Sequence, residues 1–197
     1  MTELPDYSKA TNAAYGTLFT HDVNYPRVDV LSILENMGNV IIMTYSQMAD
    51  RMGITFEDFY QNYASSEYGF TIRKDSKSCP KFIVCYNERK SETTIRFTLA
   101  HELAHIVLNH KKDDSVFKKE ADCFARNVLC PIPIVNGYKL KSVKDYVNCF
   151  NISESMATVA IDFAQNDYYY ITEENYKVID NLSYSKISGM SLGELYG

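Results

Sequence analysis

The hydrophobic positions change period several times along the chain, and each change predicts an element. Residues 1–26 carry no regular spacing and are expected to form an irregular N-terminal segment ending at Tyr25-Pro26. Val28, Val30, Leu31, Ile33 and Leu34 then make a helical stripe that stops at Gly38. Val40, Ile41, Ile42 and Met43 are continuously apolar, the pattern of a short strand. Ser46 to Met52 and Thr55 to Tyr63 return to helical spacing with Gly53 between them. Tyr68 to Arg73 and Lys81 to Tyr86 are rich in aromatic and β-branched side chains, and the polar stretch between them ends in Cys79-Pro80, which predicts an antiparallel pair.

The clearest helix begins at Ser91, whose hydroxyl suits an N-cap, and continues through Ile95, Leu99, Leu103, Ile106 and Val107. A polar turn at Lys111 to Asp114 leads to a second amphipathic helix carrying Phe117, Ala121, Phe124 and Val128, stopped by Cys130-Pro131. Val143 to Phe150 and Ser153 to Phe163 are further helical stretches, joined by Asn151-Ile152. Their spacing imitates a helix-turn-helix, yet the second carries Glu154 and Asp162 and almost no basic residue to meet a phosphate backbone. Residues 27–164 thus read as one domain, and 165–197 as a C-terminal tail of unassigned role with a short strand at Tyr168 to Ile171.

Composition narrows the function. A chain of 197 residues, 46% hydrophobic, can hold a core without metal or disulfide, so a metal here would serve chemistry. The net charge of -5 argues against nucleic acid as a direct partner. The first residues do not have the basic and then apolar pattern of a leader, and no apolar run approaches the roughly 18 residues of a membrane span, so a cytoplasmic location is expected. Cys79, Cys85, Cys123, Cys130 and Cys149 form no C-x-x-C pair and are expected to be reduced and largely buried. Nothing in the composition sets an oligomeric state.

Inside the clearest helix stands His101-Glu102-Leu103-Ala104-His105, the H-E-x-x-H pattern. At about 100° per residue the two histidines lie about 40° apart and one turn up, so both imidazoles reach one point in space. Glu102, about 100° round from His101, can act on water held there without ligating a metal itself. Four His and 12 Glu in the chain make about 0.005 chance matches to this pattern. A hydrolytic zinc site needs a third protein ligand and one open position. His110 lies about 140° round from His105 and faces elsewhere unless the helix has ended, and Asp113 and Asp114 belong to the polar turn. Glu120 falls between Phe117 and Phe124 on the packed face of the next helix, where a carboxylate wants a cation. A Lys or Arg partner would also satisfy it; with H-E-x-x-H upstream, ligation is the favoured reading. Zinc would then acidify water for Glu102, the general base. A second electrophile is expected near the oxyanion, and Tyr68, His110 and Arg126 are the positions to inspect.

The string Arg96-Phe-Thr-Leu-Ala-His-Glu-Leu-Ala-His105, followed by Glu120-Ala-Asp-Cys-Phe-Ala125 and ending in Pro131, closely resembles the ImmA/IrrE family of zinc metallopeptidases. Asn87, ahead of the helix, fits the same pattern. The resemblance is specific over residues 81–131 and looser over 28–80 and 139–160. It implies that His101, His105 and Glu120 are zinc ligands and Glu102 the catalytic glutamate. Ala104 stands where the family usually has Gly, and Asp122 where Asn is frequent, which leaves open whether Asp122 orients a ligand. The implied fold is α+β and gluzincin-like, a small sheet beside the active-site helix with the Glu120 helix packed on it and further helices around. Such proteins act on helix-turn-helix repressors of the Xre or CI type, on phages and integrative elements, so the implied partner is a repressor that is cut. Some members act by binding alone, which is the alternative. The strand at Lys81 to Tyr86 is expected to edge the cleft and pair with an extended substrate.

Overall fold

A computed structural model describes residues 4–21, 23, 25–112 and 114–188. Its sheet comprises β1 (Val40–Thr44), β2 (Gly69–Lys74) and β3 (Lys81–Tyr86) in the order β1-β3-β2. β1 runs parallel to β3, and β2 antiparallel to it with Thr71 opposite Val84. The hairpin expected from the two aromatic-rich runs is therefore present. Its placement differs: β3 is hydrogen-bonded on both sides and buries Phe82, Val84 and Cys85, so it cannot offer an edge. The edges belong to β1 and β2.

The first part of the chain supplies α1 (Tyr7–Thr20), α2 (Val30–Glu35), α3 (Tyr45–Met52) and α4 (Phe56–Asn62). α5 (Glu92–Val107) and α6 (Ser115–Leu129) form the centre of the molecule. α7 (Ile132–Gly137), α8 (Val143–Phe150), α9 (Glu154–Tyr170) and α10 (Glu173–Ser188) complete an α+β architecture. The expected caps operate: the Ser91 hydroxyl accepts from the Thr94 amide at 3.2 Å, and Gly53 ends α3 at φ 69, the left-handed region where glycine is unstrained. α5 buries Leu99, Ala100, Leu103 and Ala104, and α6 buries Ala121, Phe124, Ala125 and Val128 in the same core. Alanines on both helices let their axes approach, which is why a small residue suffices at Ala104. Arg96 ties the start of α5 to the rest, donating to the carbonyls of Phe150 (2.6 Å), Asn151 and Val28 (3.1 Å).

Two expectations require correction. The segment before Pro26 is not irregular: α1 packs along α6, and the Tyr15 hydroxyl accepts from the Ile132 amide at 2.9 Å. Its buried residues include Ala10, Thr11, Ala14 and Thr17, so small and hydroxyl side chains replace the apolar stripe that would have announced a helix. Tyr168 to Tyr170 are not a strand but the end of α9. Tertiary contact outweighs the β propensity of three tyrosines, because Asp167 is anchored by Arg126 of α6 through Nε at 2.6 Å and Nη2 at 2.7 Å. α10 then packs on α7 and α1, so residues 165–188 belong to the folded body, while 189–197 lie outside the described residues.

The Arg126–Asp167 pair is buried on both sides. Arg126→Met should therefore leave a buried carboxylate without its cation and lower unfolding stability by about 3–5 kcal/mol, read from the denaturant midpoint. The double variant Arg126→Met/Asp167→Leu should recover most of that loss. A single variant as stable as the unsubstituted protein would contradict the role assigned to this pair.

Among the described residues no helix is long and apolar enough to cross a membrane. The cysteines are unbridged: Cys85, Cys123 and Cys130 are buried, Cys149 is half-buried and Cys79 is exposed. Burial pushes the Cys85 thiol up to about 12 and that of Cys123 to about 11, so neither offers a thiolate for a metal or a nucleophilic attack.

Candidate active site

α5 turns His101, Glu102 and His105 into a cleft of about 740 Å³ bounded by β2, the 110–112 turn and α6. The Nε2 atoms of His101 and His105 stand 3.1 Å apart. Two nitrogens each about 2.0–2.1 Å from one tetrahedral zinc would be about 3.3 Å apart, so the i, i+4 spacing already sets them at metal-bridging separation.

The outer nitrogens of both rings are held from behind. His101 Nδ1 lies 2.8 Å from Asp122 Oδ1 on α6, which settles what Asp122 contacts: it orients His101. His105 Nδ1 lies 3.0 Å from Nδ1 of His110. The helix has indeed ended before His110: Leu108 is its C-cap, and Asn109 turns the chain back at φ 57. The His110 amide then donates to the His105 carbonyl at 3.0 Å, and its ring stacks on Phe117 with centroids 4.4 Å apart. An Asn directly after an apolar helix was the signal for this return, since Asn tolerates the left-handed region.

Glu120 is buried on α6, but the structure brings it to His110 rather than to the histidine pair. Its Oε2 lies 3.0 Å from His110 Nε2, and its Oε1 accepts from the Asp6 amide at 2.8 Å. Glu120 is thus one imidazole removed from the cleft, and no three His, Cys, Asp or Glu among the described residues gather around a single metal position. Asp113 lies outside the described residues.

The proton positions follow from the acceptors. The Asp122 carboxylate takes the Nδ1 hydrogen of His101, and Glu120 takes the Nε2 hydrogen of His110. Burial holds the His110 pKa below its ordinary value against the opposing pull of Glu120. One hydrogen is shared between His105 Nδ1 and His110 Nδ1 across 3.0 Å. The Nε2 atoms of His101 and His105 face one another across 3.1 Å at the floor of the cleft. Two imidazole nitrogens placed this way fit a divalent transition metal.

Glu102 is placed by the sheet. Thr71 of β2 donates its hydroxyl to Glu102 Oε2 at 2.7 Å. β2 comes this close because of Gly69, where a Cβ would meet Thr98 Cγ2 at 2.5 Å and the Cys85 carbonyl at 2.9 Å. Tyr68, Gly69, Phe70 and Thr71 line the cleft consecutively. Side chains of a strand alternate between faces, so an unbroken run means that the strand's edge borders the cleft. The strand edge that borders the cleft is therefore that of β2, and not the expected 81–86. Of the three positions inspected for an electrophile, Arg126 is spent on Asp167, His110 on His105 and Glu120, and Tyr68 remains on the cleft with its hydroxyl bonded to Glu67, which raises its pKa.

The model of the Peptidase M78 family, described as an IrrE N-terminal-like domain, matches residues 49–161, more than half of the chain. The chain belongs to this family. The matched segment runs from within α3 into α9 and contains every residue of the cleft network except Asp6. Family membership supports a peptidase function of the metallopeptidase type and implies a metal cofactor. No curated protein and no solved structure shows a significant match.

Proposed function

We propose that this member of the IrrE N-terminal-like family is a zinc-dependent endopeptidase with a gluzincin-like site. The carrying observation is the pair of histidine Nε2 atoms 3.1 Å apart in a cleft that also holds Glu102. His101 and His105 would hold the metal, and Glu120, now on His110 and Asp6, is the proposed third donor. Zinc supplies Lewis acidity, which acidifies water and polarises a peptide carbonyl. Glu102, its Oε2 steadied by Thr71, takes a proton from water and delivers it to the leaving amine as the C–N bond breaks. An extended segment of the substrate adds to the outer edge of β2, where main-chain hydrogen bonds align the scissile bond with Glu102.

The proposed substrate is a cytoplasmic helix-turn-helix repressor of the Xre or CI type, whose cleavage would relieve repression on a phage or integrative element. Incubation of the zinc-loaded protein with such a repressor should yield two fragments by mass spectrometry, and a chelator should abolish them. A repressor that stays whole beside a fully zinc-loaded protein would count against the reading. Thr71→Val should slow this cleavage on the order of 10-fold, the weight of one hydrogen bond to a charged group, without changing zinc content. Equal rates for both proteins would show that Thr71 does not steady the base.

A further inference from the structure

β2 runs alongside α5: Gly69 abuts Thr98, Thr71 bonds Glu102, and Arg73 Nη1 donates to Asn109 Oδ1 at 2.6 Å just past the helix end. The cleft between them has two unlike ends. Near Gly69 it is lined by Ser65, Ser66, Tyr68 and Thr94, which carry no formal charge, and near Arg73 by Lys111, Lys112 and Lys118. A chain of net charge -5 thus gathers four cations, Arg73 included, at one end of this cleft. Asp75 engages Arg73 at 2.7 Å and Asp114 engages Lys112 at 3.3 Å, while Asp122 is held on His101 and Glu102 on Thr71. Lys111 is exposed and enters no ion pair among the described residues.

We infer that this basic end is a specificity subsite for acidic side chains, so that the preferred substrate carries Asp or Glu two to four residues to one side of the scissile bond. The inference rests on the endopeptidase reading above. A strand added to β2 is matched to it residue by residue, at about 3.3 Å per residue. Thr71 marks the place of Glu102, and Arg73 lies two residues further along the same face of β2, about 7 Å away. The Arg73–Asn109 bond fastens the end of β2 to the turn that leads into Lys111 and Lys112, which keeps strand edge and cations in one frame. Flexible lysine stems let several ammonium groups converge on one carboxylate there. A single exposed ion pair discriminates weakly, so the grouping is what gives the subsite its selectivity. A Lys or Arg in the same substrate position meets like charge and is rejected. At the opposite end hydroxyls serve either charge as donors or acceptors, so the preference is one-sided.

The zinc-loaded protein is mixed with a library of random short peptides at low salt, and the cut sites are read by mass spectrometry. Asp and Glu should be enriched on one side of the cut. A matched pair of peptides with Asp or Asn at the enriched position should differ about 10-fold in kcat/KM, and less at high salt. Lys111→Glu/Lys112→Glu should turn the preference towards Lys and Arg at the same positions. Lys111→Glu alone should weaken the acidic preference and serves if the double variant fails to fold. Lys144→Glu, on α8 and outside the cleft, makes the same charge change as one of these reversals and should leave the preference as it was. Enrichment on neither side or on both equally, a preference that survives charge reversal, or an equal loss in Lys144→Glu would each overturn the subsite while leaving the endopeptidase reading intact. If nothing is cut, the library peptides retained by the immobilised protein decide. Acidic enrichment that disappears in the double variant would uphold the basic end as the part of the cleft that recognises anions and count against hydrolysis alone; absence of enrichment would overturn both.

Discussion

Glu102→Gln is expected to lower hydrolysis of the partner protein by about 10²- to 10⁴-fold while fold, zinc content and partner binding persist. The amide is nearly isosteric, and its oxygen can still accept from Thr71, which now bonds Glu102 at 2.7 Å. What is lost is the ability to take a proton from water and return it to the leaving amine. The side chain is buried at the helix–sheet contact, so a shape-preserving change isolates the chemistry from packing. A protein that works by contact alone would behave differently: its partner would stay full length in both strains, and derepression would survive the substitution. Partner integrity and reporter output measured together separate the outcomes, and an intact partner with undiminished derepression would sink the enzyme reading. Failure to cut casein would not, because a strand edge beside a small cleft can require one particular extended segment.

The second large effect concerns metal content. Alanine at His101 or His105 should abolish stoichiometric zinc, because each supplies one of the two Nε2 atoms that face each other at 3.1 Å. Elemental analysis after dialysis should show one zinc per chain in the unsubstituted protein and a small fraction in either variant. Glu120→Ala should behave likewise if the carboxylate is the third donor. Its place beside His110 and Asp6 makes this the most informative of the substitutions. Full zinc occupancy in Glu120→Ala would remove it from the ligand set and leave it only as the partner of His110 and the Asp6 amide. Asp122→Ala makes the internal control. It holds His101 from behind at 2.8 Å, so zinc should bind about 10- to 100-fold more weakly without the loss of stoichiometry at saturating metal.

What could be read in advance was what local geometry dictates. The facing imidazoles of His101 and His105 follow from helical rise and twist alone, as do the Ser91 cap, the left-handed Gly53 and the packed side of α6. The hairpin of β2 and β3 announced itself because strand composition and a polar connection are neighbours in the sequence. α1 escaped for the opposite reason: its buried face is made of alanine, threonine and tyrosine with one leucine, Leu18, and its helicity depends on α6, more than 100 residues away, as in the Thr11–Cys123 contact at 3.4 Å. Strand order escaped because composition shows that β3 is apolar but not that β1 takes its second side.

By itself, then, the sequence determined the two-histidine core of the site and the glutamate beside it, since residues one turn apart on a helix meet whatever surrounds them. Tertiary structure alone decided what acts on those residues. Thr71 reaches Glu102 across 31 positions, Asp122 reaches His101 across 21, and the Asp6 amide reaches Glu120 across 114. It also decided that Glu120 meets the pair through His110, because one left-handed residue after the helix reverses a side chain that helical periodicity would have aimed away. The physical reason is the same in each case: periodicity reports which face of an element is buried, whereas the partner across the interface is set by how separate elements pack, and a one-dimensional pattern carries no record of that.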